Sequence, residues 1–207
     1  PGYPPEKPTP LETPIDFTHP DFAMTLRMED VNSGTSRFYY SYDRGRTWKG
    51  PYLFPLLGQS GIMARTDYVV NGPKSCLVVL TAAKSKGREG RPLCAETTDG
   101  GLTWKLKGFI GPEPTGFAIM PSTVRVGPRS LVSTIRLKSD GASRIDAWSS
   151  DDDGATWKLL SIPEPEMGEG NPPSLLKLRD GRLCLIHGYR AKPFGIRARL
   201  SSDDGKT

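Results

Sequence analysis

No stretch of this sequence approaches the roughly 20 consecutive apolar residues of a membrane-spanning helix, and no segment clusters the about five to eight Lys or Arg residues of a nucleic-acid patch. Neither a membrane nor a nucleic acid is an expected partner. The net charge of +5 is modest and its acids and bases are interleaved, which reads as a mixed solvated surface. Cysteine is scarce: Cys76, Cys94 and Cys184 sit in apolar, strand-like runs without metal-ligand spacing. They read as small buried hydrophobes, and no metal or other cofactor is expected. Long helical periodicity is also missing, because 20 Pro and 23 Gly cut the chain into short Val, Leu, Ile and Thr runs that suit strands and turns. No charged-then-apolar leader precedes Pro1-Gly2-Tyr3, so the compartment is unknown, with secretion or the periplasm left open.

What is present is a repeat. Ser41-Tyr42-Asp43-Arg44-Gly45-Arg46-Thr47-Trp48 has the spelling Ser/Thr-x-Asp-x-Gly-x-Thr-Trp. It returns at Thr97 to Trp104, at Ser150 to Trp157, and at Ser201 to Thr207 without a final Trp, at intervals of about fifty residues. The octet suits a polar turn between two strands. The Asp carboxylate accepts the turn's own backbone N–H groups, Gly takes a positive φ, and Trp leaves on the next strand to bury about 150–250 Å². Asp43, Asp99, Asp152 and Asp203 are therefore read as turn holders rather than catalysts.

The expected architecture is all-β, a β-propeller of four-stranded antiparallel blades, about four of them in this chain. Residues 1–20, with seven prolines, are expected to be a tail or a wrap along the surface, and 21–207 the propeller. With strands A to D in each blade, the second unit reads A near 61–70, B 76–82, C 92–97 and D after Trp104. The third reads A near 117–126, B 131–137, C 143–148 and D after Trp157; in the fourth, A is near 173–178, B 182–187 and C 195–200. Strand direction then puts the A–B turns and the octets on one face of the disc. The B–C loops and D–A links fall on the other, where varied loops on a rigid scaffold are the expected place for function.

That loop face collects arginines and carboxylates from different repeats. Arg65, Arg136, Arg190 and His187 are the candidate substrate-binding residues, since a guanidinium fork bonds both oxygens of a carboxylate. Glu113, Glu169 and Asp67 are the candidate catalytic acids, suited to proton transfer in glycosidic cleavage. Each has a plainer reading: Arg65 in a sheet ion pair, Glu113 and Glu169 as solvated loop acids, His187 as a packed ring. Lys84, Lys86, Arg88 and Glu89 read as a solvated, mutually paired loop.

The octet resembles the Asp-box, or BNR, repeat of the sialidase superfamily, over residues 21–207. The fourth unit extends the likeness through Gly170-Asn171-Pro172-Pro173, Asp180-Gly181-Arg182-Leu183 and Gly195 to Ser201. This resemblance implies six blades, an arginine triad gripping a substrate carboxylate, an Asp general acid/base, and a Tyr nucleophile assisted by Glu. Arg190 is the counterpart of the triad arginine that follows Asn-Glu-Pro in the family. Here Pro172 stands in place of that Glu, no Arg-Ile-Pro occurs near the start, and the Tyr would fall beyond Thr207, in line with a chain truncated at its C-terminus. The implied function is a glycoside hydrolase acting on an acidic sugar, an exo-α-sialidase or a related glycosidase. The alternative is a non-catalytic propeller that binds glycan or protein.

Overall fold

The computed structural model describes residues 7–31 and 34–207; residues 1–6 of the Pro-rich segment, and Asn32 in the first expected B–C loop, lie outside them. Among the described residues, fifteen strands form four antiparallel sheets. The first contains β1 (Ala23–Met28), β2 (Ser36–Ser41) and β3 (Lys49–Phe54). The second contains β4 (Ile62–Met63), β5 (Tyr68–Gly72), β6 (Ser75–Ala83), β7 (Glu89–Thr97) and β8 (Lys105–Phe109). The third contains β9 (Phe117–Arg125), β10 (Leu131–Ser139), β11 (Ala142–Ser150) and β12 (Lys158–Glu164), and the fourth β13 (Ser174–Lys177), β14 (Leu183–Tyr189) and β15 (Gly195–Ser201). These are successive blades of a propeller, joined in sequence order.

In the first three sheets the octets join the two outer strands, and the last octet follows β15. In the first, Thr47 donates its backbone N–H to Asp43 Oδ1 at 2.9 Å and its hydroxyl to Oδ2 at 2.6 Å. Thr156 repeats both bonds to Asp152 at 2.9 and 2.6 Å, and Thr207 both to Asp203 at 3.1 and 2.9 Å. The Thr156 and Thr207 turns hold their Asp carboxyls down at about 2, through the Thr156 hydroxyl for Asp152 and the Ser201 hydroxyl for Asp203.

Neighbouring sheets share their apolar faces. Ile15, Phe17, Leu26, Phe38, Phe54, Val78 and Leu80 belong to one core between the first and second sheets. Leu77, Val79, Cys94, Leu131 and Ile135 fill the next seam, and Val132, Ile145, Met167, Leu183 and Leu185 the third. Inner strands are also stitched across the seams. Asp67 accepts the Thr123 N–H at 3.1 Å and its hydroxyl at 2.7 Å, and Ser122 Oγ accepts the Leu175 N–H at 2.9 Å. Cys76 and Cys94 are buried, their thiols pushed up to about 12 by burial, while Cys184 is half-buried.

Two local readings of the sequence are corrected. Strand B of the third unit, expected to end at 137, continues as β10 through Ser139, because Asp140 (φ 52°) and Gly141 (φ 78°) make a two-residue hairpin turn of the kind Asp-Gly favours. The expected single inner strand of the second unit is broken between β4 and β5 over residues 64–67.

The Pro-rich segment from residue 7 lies against the first two sheets. Thr9 donates to Pro51 O at 3.2 Å, Ile15 to Gly100 O at 2.8 Å and Phe17 to Pro73 O at 2.8 Å. Ile15 and Phe17 are both buried, so the prolines keep the strap extended while its apolar residues enter the seam.

Trp104 and Trp157 each reach back to the preceding sheet. Trp104 lies 5.2 Å from Phe54 and 6.3 Å from Phe38, ring to ring, and is 8% exposed, whereas Trp48 is 43% exposed. Urea denaturation is therefore expected to show a loss of about 3–5 kcal/mol for Trp104→Ala and a change within about 1 kcal/mol for Trp48→Ala. Equal losses would mean that the seam does not hold the indole.

Candidate functional site

The inner strands run away from the loop face and the octets lie on the opposite side, so the loop face carries the 84–88 loop, the Asp140-Gly141 turn, the segment after Tyr189 and the links 110–116 and 165–173. A hollow of about 230 Å³ on it is lined by Val31, Arg88, Glu89, Phe117 and Ile119, contributed by three consecutive repeats.

Arg65 stands in the break between β4 and β5. Its guanidinium meets Glu89 side by side, Nη1 on Oε1 and Nη2 on Oε2, the second contact at 3.0 Å. The Glu89 carboxylate is 9% exposed, so its own charge is largely enclosed by this fork. Arg136 projects from β10, places its guanidinium 5.5 Å from the Phe117 ring, and donates Nη2–H to the Glu169 carbonyl at 2.9 Å. Its Nε is buried without a partner. Burial holds Arg136 below its ordinary range, helped by the positive charges of Arg190 and Arg65 and opposed by Glu169. Three guanidinium groups from three consecutive blades therefore lie within electrostatic reach of one another. Arg190, just after β14, is exposed and enters no hydrogen bond or ion pair among the described residues.

The candidate acids are placed differently. Glu169 is exposed beside Arg136, with Lys138 Nζ 3.3 Å from its carboxylate. Glu113 is tied across the loop face to Ser85, accepting the Ser85 hydroxyl at 2.7 Å and its N–H at 3.2 Å, with Arg91 3.9 Å away. The Ser85 hydroxyl holds Glu113 below the usual carboxylate range against the opposing effect of burial. Asp67, two residues past Arg65, points to Thr123 in the seam, where burial raises its carboxyl to about 7 and the two Thr123 bonds only partly offset the rise.

His187 is not on the hollow. Its ring is 2% exposed in the seam between the third and fourth sheets, with Nε2 3.2 Å from Glu164 Oε2 and Nδ1 3.2 Å from Gly188 O. Its alternating position on β14 turns it toward the preceding sheet beside Leu183 and Leu185. Arg199 Nη2 reaches the same Glu164 oxygen at 3.1 Å, and Arg197 lies 3.5 Å from the other. The packed-ring reading describes His187. Sequence reasoning missed Glu164 as the centre of this cluster and Glu89 as the partner of Arg65; the start of β7, where Glu89 enters the sheet, was the available signal. Glu89 is not part of a solvated loop network. Among the described residues, no group of three or more His, Cys, Asp or Glu side chains is placed to hold a metal ion.

The all-β fold places the chain among propellers, built by radial repetition of short antiparallel sheets. The sequence matches the model of the BNR repeat-like domain over residues 8–207, and the chain belongs to that family. A protein of unknown function from Dyadobacter fermentans shares the fold at 24% identity and a TM-score of 0.65, over 80% of this chain and 47% of that one. The α-L-arabinofuranosidase of Fusarium graminearum, solved with arabinobiose, matches at 15% identity and a TM-score of 0.62, over 94% of this chain and 67% of that one. The NanB sialidase from Streptococcus pneumoniae matches at 18% identity and a TM-score of 0.61, over 84% of this chain and 27% of that one. The chain thus spans about half of the first of these and about a quarter of the last. No curated protein matches it. The structural neighbours include two kinds of glycoside hydrolase, and the fold is the one those enzymes use.

Asp67 gives a pH test. Its folded-state value, about 7, lies above the ordinary 3.8. Its contribution to stability is therefore full below about pH 4 and is lost as pH rises through about 7. Asp67→Asn keeps an acceptor for Thr123 but cannot ionise. Between pH 5 and 8 the parent protein is expected to lose about 2–3 kcal/mol more than this variant in chemical denaturation. Parallel pH profiles would show that Asp67 is ionised in the folded protein throughout.

Proposed function

We propose that this chain contributes the substrate-carboxylate end of a glycoside hydrolase site, acting on an acidic sugar as an exo-α-sialidase or a related glycosidase does. The observation that carries the reading is the positive charge that Arg65 and Arg190, from the neighbouring blades, add at the half-buried Arg136. Like charges brought together repel and raise the energy of the empty site, so an anion that spans them recovers that energy on binding. Arg136 adds a buried Nε–H with no acceptor, a donor left for a ligand. Arg190, exposed and unengaged, is free to swing onto the same anion. Phe117, beneath Arg136, offers an apolar face to a sugar ring.

The acids named from the sequence divide in their roles. Asp67 is turned into the seam against Thr123 and holds the break between β4 and β5 in place rather than reaching a substrate. Glu169 is the exposed carboxylate nearest the arginines and suits a base. Glu113, fixed by Ser85, orders the link that frames the hollow. His187 supports the fourth sheet from within.

A second reading, a non-catalytic propeller that binds an anionic glycan or protein, is favoured by one specific feature: the segment Asn171-Pro172-Pro173 has no carboxylate where the superfamily places its Glu. Turnover against binding separates the two. The parent protein, Arg136→Ala and Arg190→Ala would be assayed with aryl sialosides, aryl uronides and aryl α-L-arabinofuranosides. Hydrolysis of an acidic glycoside, reduced about 100-fold or more in Arg136→Ala, is the expected result. Binding of the acidic sugars without turnover would establish the second reading, and unchanged turnover in both variants would remove the arginines from the site.

A further inference from the structure

We infer that the cleft between the second and third blades is a carbohydrate site separate from the arginines, and that it takes a neutral sugar residue. The inference is independent of the catalytic reading. The cleft has a volume of about 500 Å³, within the range of small-molecule pockets, and is bounded by the two blades and the link between them. Ile110, Ile135 and Leu137 give it an apolar floor in the seam, and Trp148 and Leu159, paired across β11 and β12, form a wall.

Three of the side chains that line it come from one strand. Arg144, Asp146 and Trp148 alternate along β11, so all three turn to the same face. The Trp148 indole is half-buried and already held in place. Gly111, at φ 71°, lies so close that a Cβ there would stand 2.6 Å from a ring carbon. A ligand that stacks on this indole orders no new side chain.

Asp146 is the reason to place an occupant there. Its carboxylate is 6% exposed, and an ionised carboxylate has about four lone-pair sites to satisfy. Among the described residues only Arg144 serves it, with Nε 2.7 Å from Oδ1 and Nη2 a long 3.4 Å from Oδ2. The other two acids of the cleft are already engaged. Asp140 accepts the hydroxyls of Thr115 and Ser139 at 2.6 and 2.9 Å, and Glu113 accepts the hydroxyl and N–H of Ser85.

Oδ2 of Asp146 lacks a donor, while Arg144, 31% exposed, has donors to spare. A hydroxyl is both donor and acceptor, so two neighbouring sugar hydroxyls meet Asp146 and Arg144 together while the C–H face of the ring lies on Trp148. An ammonium group would satisfy Asp146 but confront Arg144. A carboxylate would confront Asp146, Asp140 and Glu113, three acids against one guanidinium. The neutral sugar is the class that suits both members of the pair.

Calorimetric titration of the 207-residue chain with the methyl glycosides of glucose, galactose, mannose, xylose and arabinose tests this, with tryptophan fluorescence read alongside. At least one glycoside is expected to change the emission and to bind with a dissociation constant of about 1 mM, which ordinary ligand efficiency gives a molecule of this size. Glucuronate and butylammonium are expected to bind about 10-fold more weakly or not at all. Ala142→Trp, which fills the cleft from the start of β11 and leaves Arg144 and Asp146 in place, is expected to abolish binding with unchanged melting. Asp146→Asn, which keeps an acceptor for Arg144, is expected to weaken it about 10-fold and carries the test if the bulkier variant does not fold. Arg136→Ala should bind as the parent does. Absence of binding by all five glycosides, binding that survives Ala142→Trp or Asp146→Asn unchanged, its loss in Arg136→Ala, or equal binding of glucuronate or butylammonium would each overturn the proposal.

Discussion

A four-stranded sheet with apolar residues on both faces cannot bury them alone, and the structure is organised around that constraint. Each sheet becomes stable by lending one face to the sheet before it and the other to the sheet after it. The octet turn makes this lending repeatable. Its carboxylate fixes the outer hairpin through bonds to one Thr N–H and one hydroxyl, which sets where the following indole leaves the turn. The energy lies in the seams, in Leu, Val, Phe and Trp contacts, while the polar turn decides their register.

The same arrangement explains why the two faces of the disc differ in chemistry. On the octet face the loops are held to one length and one hydrogen-bonding plan. On the other, the links are free to vary, and the charges of Arg65 and Arg190, far apart in sequence, both act on Arg136. Their mutual repulsion is contained by local partners, Glu89 for Arg65 and the Glu169 carbonyl for Arg136. A seam can also turn polar without opening. Between the third and fourth sheets, Glu164 collects His187, Arg197 and Arg199 where the preceding seam places Ile135 and Trp148.

The architecture was legible because the octet is local: its hydrogen bonds join residues two to four apart, so spelling and geometry coincide. Strand direction put Arg136 and Arg190 at equivalent places on the loop face. Pairing across sheets did not follow from it. Glu89 was assigned to a solvated loop because its neighbours Lys84, Lys86 and Arg88 are charged, yet it opens β7 and its partner lies 24 residues back. His187 was drawn to the site by chemical type, whereas alternation along β14 turns it into the seam. Lys84, also read as solvated, donates to the carbonyls of Pro114, Thr115 and Gly116 at 3.0, 2.9 and 2.6 Å, a contact no local pattern announces. The Asp140-Gly141 hairpin was written in the sequence and passed over.

The strap formed by residues 7–20 makes the first two blades unequal to the others. Its backbone is bonded to the first sheet at Pro51 and to the second at Gly100 and Pro73, and Ile15 and Phe17 are sealed in the joint it crosses. Those two blades are therefore tied as one cooperative body by backbone as well as by their seam, whereas the third and fourth are joined to their neighbours by the seams and the bonds across them. Shortening the chain from the Pro-rich side would accordingly excise part of the interior, and the end of the propeller with the least sequence regularity is the one that knits its neighbours together.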